Sequence, residues 1–177
     1  MAEDKKEKWL NGVALTTILF AVCATLSTFK GGQYSTKTVL YQLKVANEWA
    51  YYQAKDMKGY LHELQKDKLE LDLLDNAGHT PGYADAARKR IEAYADKIKK
   101  YDAQRGEIEQ KARSYETAIV DSQAHGQNFG MAVIFLQIAI LLSSVAALMK
   151  KIKLWYGGLV IGSLGLLYFA NGFSVFF

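Results

Sequence analysis

The chain has 177 residues, 50% hydrophobic and 23% charged, with a formal net charge of +4. Those averages suit a soluble domain, but residues 9–29, 129–149 and 154–177 hold no charged side chain at all, which excludes a single-core globular domain, a disordered chain and a disulfide-stapled fold. Between Lys30 and Asp121 lie 16 basic and 15 acidic residues, so the middle is nearly neutral and nucleic acid is not an expected partner.

In chain order, residues 1–8 form a short tail with three lysines and three acids. Residues 9–29 then supply the roughly 20 apolar residues that a helix needs to cross a hydrocarbon core. Lysines before an apolar run also introduce signal peptides, but this run ends at Lys30 without a small-x-small cleavage site. Val22 before Cys23 does not suit a lipoprotein signal, so an uncleaved anchor is expected. A lone cysteine makes no intramolecular disulfide and says nothing of redox compartment.

Residues 30–127 contain one proline and no strand-like alternation. Their apolar spacing is helical and predicts a long antiparallel coiled-coil hairpin with arms at about 35–77 and 81–125. In the second arm Ala84, Ala87, Ile91, Tyr94, Ile98, Tyr101, Arg105, Ile108, Ala112, Tyr115 and Ile119 keep a 3-4 repeat. The first arm is looser. There Leu43, Ala50, Met57, Leu64 and Leu71 recur every seven residues, with Ala54 and Leu61 between them. Gly78 is the expected stop, Thr80 the next cap and Pro81 the first helical residue. Arms of this length would project on the order of 60 Å. Gly31, Gly32, Gly126 and Gly130 read as hinges at the two membrane junctions, with helices that continue through them as the alternative.

Residues 128–149 and 154–177 are the second and third predicted spans, joined by Lys150, Lys151, Ile152 and Lys153. A short loop with three lysines and no acid is expected in the cytoplasm. With three spans, the tail 1–8 is then cytoplasmic and 30–127 lies outside, in the periplasm of a Gram-negative cell. The expected fold class is therefore all-α: three transmembrane helices, with the helical hairpin between the first and second.

The stretches "KKEKWLNGVALTT", "YSTK" and "NEWAYYQAK" resemble a family of small bacterial membrane proteins catalogued as domain of unknown function 4337. The similarity extends over most of the chain. It implies a bacterial membrane protein of this topology and carries over no catalytic residue; the expected location is the inner membrane.

The residues offer little chemistry. His62-Glu63-Leu64-Gln65-Lys66 begins like H-E-x-x-H, but a lysine stands where the second zinc-binding histidine is needed. His79 reads as a solvated turn residue and His125 as a polar residue at the membrane junction. Acids such as Asp67, Glu70, Asp72 and Asp75 read as solvated helix faces, and so do Arg88, Lys89 and Arg90 beside Asp85 and Glu92. No phosphate-binding loop or nucleophile elbow is present. The spans carry no ionisable group for a proton path, and Gln137 and Asn171 are their most polar side chains.

Two features point to association. Gly158 and Gly162 form a small-xxx-small pair that permits close helix approach in lipid. Trp49, Tyr51 and Tyr52 cannot all face one seam, so at least one ring is expected to be exposed or to cover another chain. These five are the candidate interaction residues. The expected protein is non-enzymatic, without cofactor, metal or small-molecule substrate. It would act as a scaffold or accessory subunit that self-associates or docks to a membrane complex in the lipid bilayer. The alternatives are a subunit of an oligomeric channel or transport assembly and a membrane-anchored sensor.

Overall fold

The structure is a computed structural model that describes residues 2–75 and 82–174, with side chains from Trp9 onward. It contains three helices, α1 (Ala2–Leu74), α2 (Tyr83–Met149) and α3 (Ile152–Ser174), and no strand among the described residues. All three are long and apolar enough to cross a membrane. The chain divides into two compact units, one of Met1–Leu40 with Ala118–Phe177 and one of Tyr41–Thr117.

In the first unit all three helices pack together. Phe20, Cys23 and Ala24 of α1 and Ala132, Leu136 and Ala139 of α2 form a buried cluster, flanked by Leu159, Ile161, Leu166 and Phe169 of α3. The contact is close and made largely of small residues on α2, Ala132 and Ala139, against Phe20 and Ala24 of α1. Glycines on α3 receive the bulky side chains: a Cβ on Gly162 would lie 2.2 Å from the Phe20 ring, on Gly165 2.8 Å from Leu136, and on Gly172 2.8 Å from Phe129. Hydroxyls in the charge-free stretches mostly bond back to their own helix, as Thr17 does to the Val13 carbonyl and Ser27 to that of Cys23. Their desolvation cost is thereby offset.

The hinges predicted at Gly31, Gly32, Gly126 and Gly130 do not form, because α1 and α2 run through these positions unbroken. Gly31 and Gly126 serve approach instead: a Cβ on Gly31 would meet the Phe129 Cβ at 3.4 Å and the Gly126 carbonyl at 4.0 Å. Helix α2 ends in a tight turn where Lys151 N–H bonds the Ala146 carbonyl at 3.1 Å and Lys150 N–H that of Ala147 at 3.3 Å. This is the pairing usually closed by glycine. Here Lys150 takes the left-handed conformation, with φ 55°. The expected loop 150–153 thus shortens, since α3 begins at Ile152.

In the second unit the contacts between the two helical segments run in reversed order along the chain. Tyr41 stacks on Tyr115, Trp49 bonds Glu116, Asp56 pairs with Arg105, and His62 stacks on Tyr101 and Tyr94. The column on α2 is largely the one expected: Ala87, Ile108 and Ala112 are buried, and Ile91, Tyr94, Ile98, Tyr101, Arg105, Tyr115 and Ile119 are half-buried. Ala84 is exposed. On α1 the heptad reading fails, because Leu43, Ala50, Ala54, Met57, Leu61, Leu64 and Leu71 are all exposed. The face turned to α2 carries Tyr41, Val45, Trp49, Tyr52, Lys55, Gly59 and His62, each half-buried. Large rings that stack on α2 tyrosines bury more area per residue than alanine or leucine would. Gly78, His79, Thr80 and Pro81 lie outside the described residues. Helix α2 starts at Tyr83, after Gly82 with φ 96°, whose carbonyl accepts the first helical bond from Ala86 at 3.1 Å. Asp85 in that first turn complements the helix dipole.

Candidate functional site

The most polar constellation of the first unit joins all three helices around His125. Its Nδ1 lies 2.8 Å from the Gly172 carbonyl. A carbonyl only accepts, so Nδ1 carries the proton, and the imidazole of α2 is tied to the backbone of α3. Nε2 stands 3.8 Å from Asp121 Oδ1, beyond hydrogen-bond reach. Tyr34 of α1 stacks on the imidazole at 4.7 Å and on Phe129 at 5.9 Å. One turn further along α2, Asn128 Oδ1 accepts from Asn171 Nδ2 at 3.0 Å, while its own Nδ2 donates to the Ala124 carbonyl at 3.1 Å. Asn171 is buried, so this amide pair supplies a partner to a group that solvent does not reach. Lys30 Nζ sits 5.9 Å over the Phe173 ring. The polar atoms of the cluster are largely spent on one another, and the arrangement fastens the end of α3 to α1 and α2.

Beside it, α1 and α2 form an open cleft of about 450 Å³ lined by Gly31, Ser35, Thr38, Ser122, Gln123, Gly126 and Gln127. Hydroxyls and amides line it without a charged group, which suits a neutral polar guest or water and offers no acid, base or nucleophile pair. No group of three His, Cys, Asp or Glu side chains among the described residues is placed to hold a metal ion. His62, the start of the near-zinc motif, is instead sandwiched between Tyr94 and Tyr101 at 5.4 and 5.8 Å.

In the second unit the aromatic candidates separate. Trp49 Nε1 donates to Glu116 Oε1 at 3.1 Å and meets Tyr52 edge-on at 5.5 Å. Tyr52 lies under the Arg105 guanidinium at 5.8 Å. Tyr51 points outward, half exposed, with Lys55 Nζ 5.1 Å from its ring. Arg105 also pairs with Asp56 and Asp102. Desolvation pulls its pKa down, but the hydrogen bonds and charges of Asp102 and Asp56 together outweigh this and leave the guanidinium raised. Arg113 is raised by its bond to Glu109.

Gly158 and Gly162 both turn inward. Gly158 faces Ser143 and the Ala139 carbonyl of α2, and Gly162 faces Phe20 of α1. Their close approach therefore serves helices of the same chain. Sequence reasoning passed over Gly165 and Gly172, which continue this buried column; a helical wheel of α3 shows all four on one side. It also treated His125 singly, because its partners Tyr34 and Gly172 are remote in sequence. Gln137 is exposed on the apolar part of α2, among Ile134, Ile138 and Leu141, and its side chain has no hydrogen bond among the described residues.

Neither the comparison with curated proteins nor that with solved structures returns a match. The family model described as domain of unknown function (DUF4337) matches residues 9–175, nearly the whole of this all-helical chain, and the protein belongs to that family.

Proposed function

We propose that this protein is a non-enzymatic, multi-pass component of a bacterial inner membrane that acts by assembling. It would be a scaffold or accessory subunit, self-associating or docked to another membrane complex. In this reading the tail and the Lys150–Lys153 turn are cytoplasmic, and residues 30–127 form a periplasmic coiled-coil hairpin. Three lysines without an acid at the α2–α3 turn support the orientation. The reversed order of contacts between α1 and α2 supports the hairpin.

The observation that carries the assembly reading is Gln137. An amide facing hydrocarbon without a partner costs free energy, and a facing helix that offers another amide or a carbonyl removes that cost. Gln137→Leu keeps the size and replaces the amide with an apolar group. Purified in mild detergent, the parent chain is expected at the mass of an assembly. The Gln137→Leu protein should dissociate at several-fold lower detergent, the gain per interhelical bond being about 0.6–2 kcal/mol. A monomeric parent, with no co-purifying protein, would sink the reading. In a closed ring the same side chain would line an axial path, so a second reading is a channel subunit; purified protein in planar bilayers would then conduct, and Gln137→Leu would abolish the current.

A further inference from the structure

Helix α1 carries an apolar heptad that its own chain leaves uncovered. In the second unit Leu43, Met57, Leu61, Leu64 and Leu71 are between 47% and 66% exposed. Together with Tyr51, Tyr60 and Leu74, also exposed, they offer on the order of 800–1,000 Å², about what one partner contributes to a stable interface. Taking Leu43, Ala50, Met57, Leu64 and Leu71 as d positions places Asn47, Ala54, Leu61 and Lys68 at a. This stripe lies about 150° around the helix from the face that meets α2, so packing against α2 leaves it free.

We propose that the stripe is a parallel coiled-coil seam with α1 of a second copy. The inference rests on the assembly reading above and names its partner. Several features favour a second copy in parallel. Every copy inserted in one membrane by the same lysine rule points its α1 the same way. Identical stripes then meet in register, each d leucine beside its twin. Asn47 meets Asn47 of the second copy, and one buried polar pair at an a position is what specifies register in such seams. Lys68 at a comes beside Asp67 of the second copy at g, so the one basic residue in the stripe meets an opposite charge; both are exposed in the single chain. Asn47 and Lys68 at a also limit the number of strands, since polar a positions specify oligomer state. An antiparallel pairing would instead set Leu43 against Leu71 and remove the Asn47 pair.

The test uses the full chain in membranes with Cys23→Ser as background, carrying Met57→Cys, Leu64→Cys or, on another face of α1, Glu63→Cys. Under mild oxidation the first two are expected to form disulfide-linked dimers at least ten-fold faster than Glu63→Cys. Leu64→Glu should reduce crosslinking of Met57→Cys at least ten-fold while leaving helicity unchanged, because residue 64 is exposed in the single chain. Crosslinking at Glu63 as fast as at 57 and 64 would overturn the seam. So would dimers obtained only by mixing Leu43→Cys with Leu71→Cys chains. An assembly of undiminished mass that crosslinks at none of these sites would overturn the seam while leaving the assembly reading intact; a monomer in the membrane would overturn both.

Discussion

Within Tyr41–Thr117, the buried residues of the α2 column are small or aliphatic, Ala87, Ile108 and Ala112, alongside the half-buried Tyr94, Tyr101 and Tyr115. The facing residues of α1, by contrast, are mostly rings and cations and are all only half-buried. Ala112 is fully buried, one turn from the Glu116 carboxylate that holds the Trp49 indole. Lys44 lies over Tyr41 and Tyr115, and Lys55 over Tyr51 and Tyr101, so the amines cover the faces of rings in and beside the seam. The two segments thus meet with rings on both, interleaved with Ala87, Ile108 and Ala112 on α2 and with Val45, Lys55 and Gly59 on α1. A helix with two apolar faces buries the one whose shape fits its neighbour. The more regular aliphatic stripe of α1 remains outside because α2 covers only one side.

The largest expected effect sets one segment against the other. In full-length chain held monomeric by detergent, Ile108→Ala should lower unfolding free energy by about 2–4 kcal/mol, because it empties a buried site. Leu64→Ala should change it by less than about 0.5 kcal/mol beyond helix propensity, as expected of an exposed position. Equal losses in a denaturant titration would break the comparison.

A smaller effect of opposite sign sharpens it at the thin point of α1. Gly59 faces Tyr101, and a Cβ there would rest at ordinary contact, 3.8 Å from the Tyr101 Cβ. Gly59→Ala should therefore raise stability by about 0.5–1 kcal/mol through helix propensity. A loss on melting would mean that the two backbones approach more closely than this. The smallest effect concerns Arg105, whose carboxylate partners are about half exposed. Arg105→Gln should cost about 0.2–1 kcal/mol at low salt, shrinking as added salt screens the pairs. A cost that persists in molar salt would assign Arg105 a packing role over Tyr52 instead.

Charge-free runs of at least 20 residues, a lysine-only turn and a single proline were enough to read three apolar helical segments, two helical arms and the break between α1 and α2. They did not show that spans and arms join into unbroken helices. The α2 column was legible because only one of its faces is apolar, and a one-faced helix has one way to turn. The α1 face was not, since its repeat of Leu43, Met57 and Leu64 competes with the repeat of Tyr41, Glu48, Lys55 and His62 seven residues apart. Ranking leucine above tyrosine, lysine and histidine selects the wrong one. Nothing local records that Tyr115, Tyr101 and Tyr94 wait on α2 to stack with those rings.

Sequence alone determined which segments are apolar and long enough to cross hydrocarbon, where a helix satisfies every backbone hydrogen bond internally. That reasoning yields the number and length of the apolar segments. Tertiary structure decided everything that depends on rotation about a helix axis and on residues remote in the chain. It turned Gly158 and Gly162 inward and Gln137 outward, and it joined His125 to Gly172 across 47 positions. It also carried α1 and α2 straight through the junction glycines. The physical reason is that helix formation is set by neighbours three and four residues apart, whereas the choice of face is set by how side chains from different helices fill shared space.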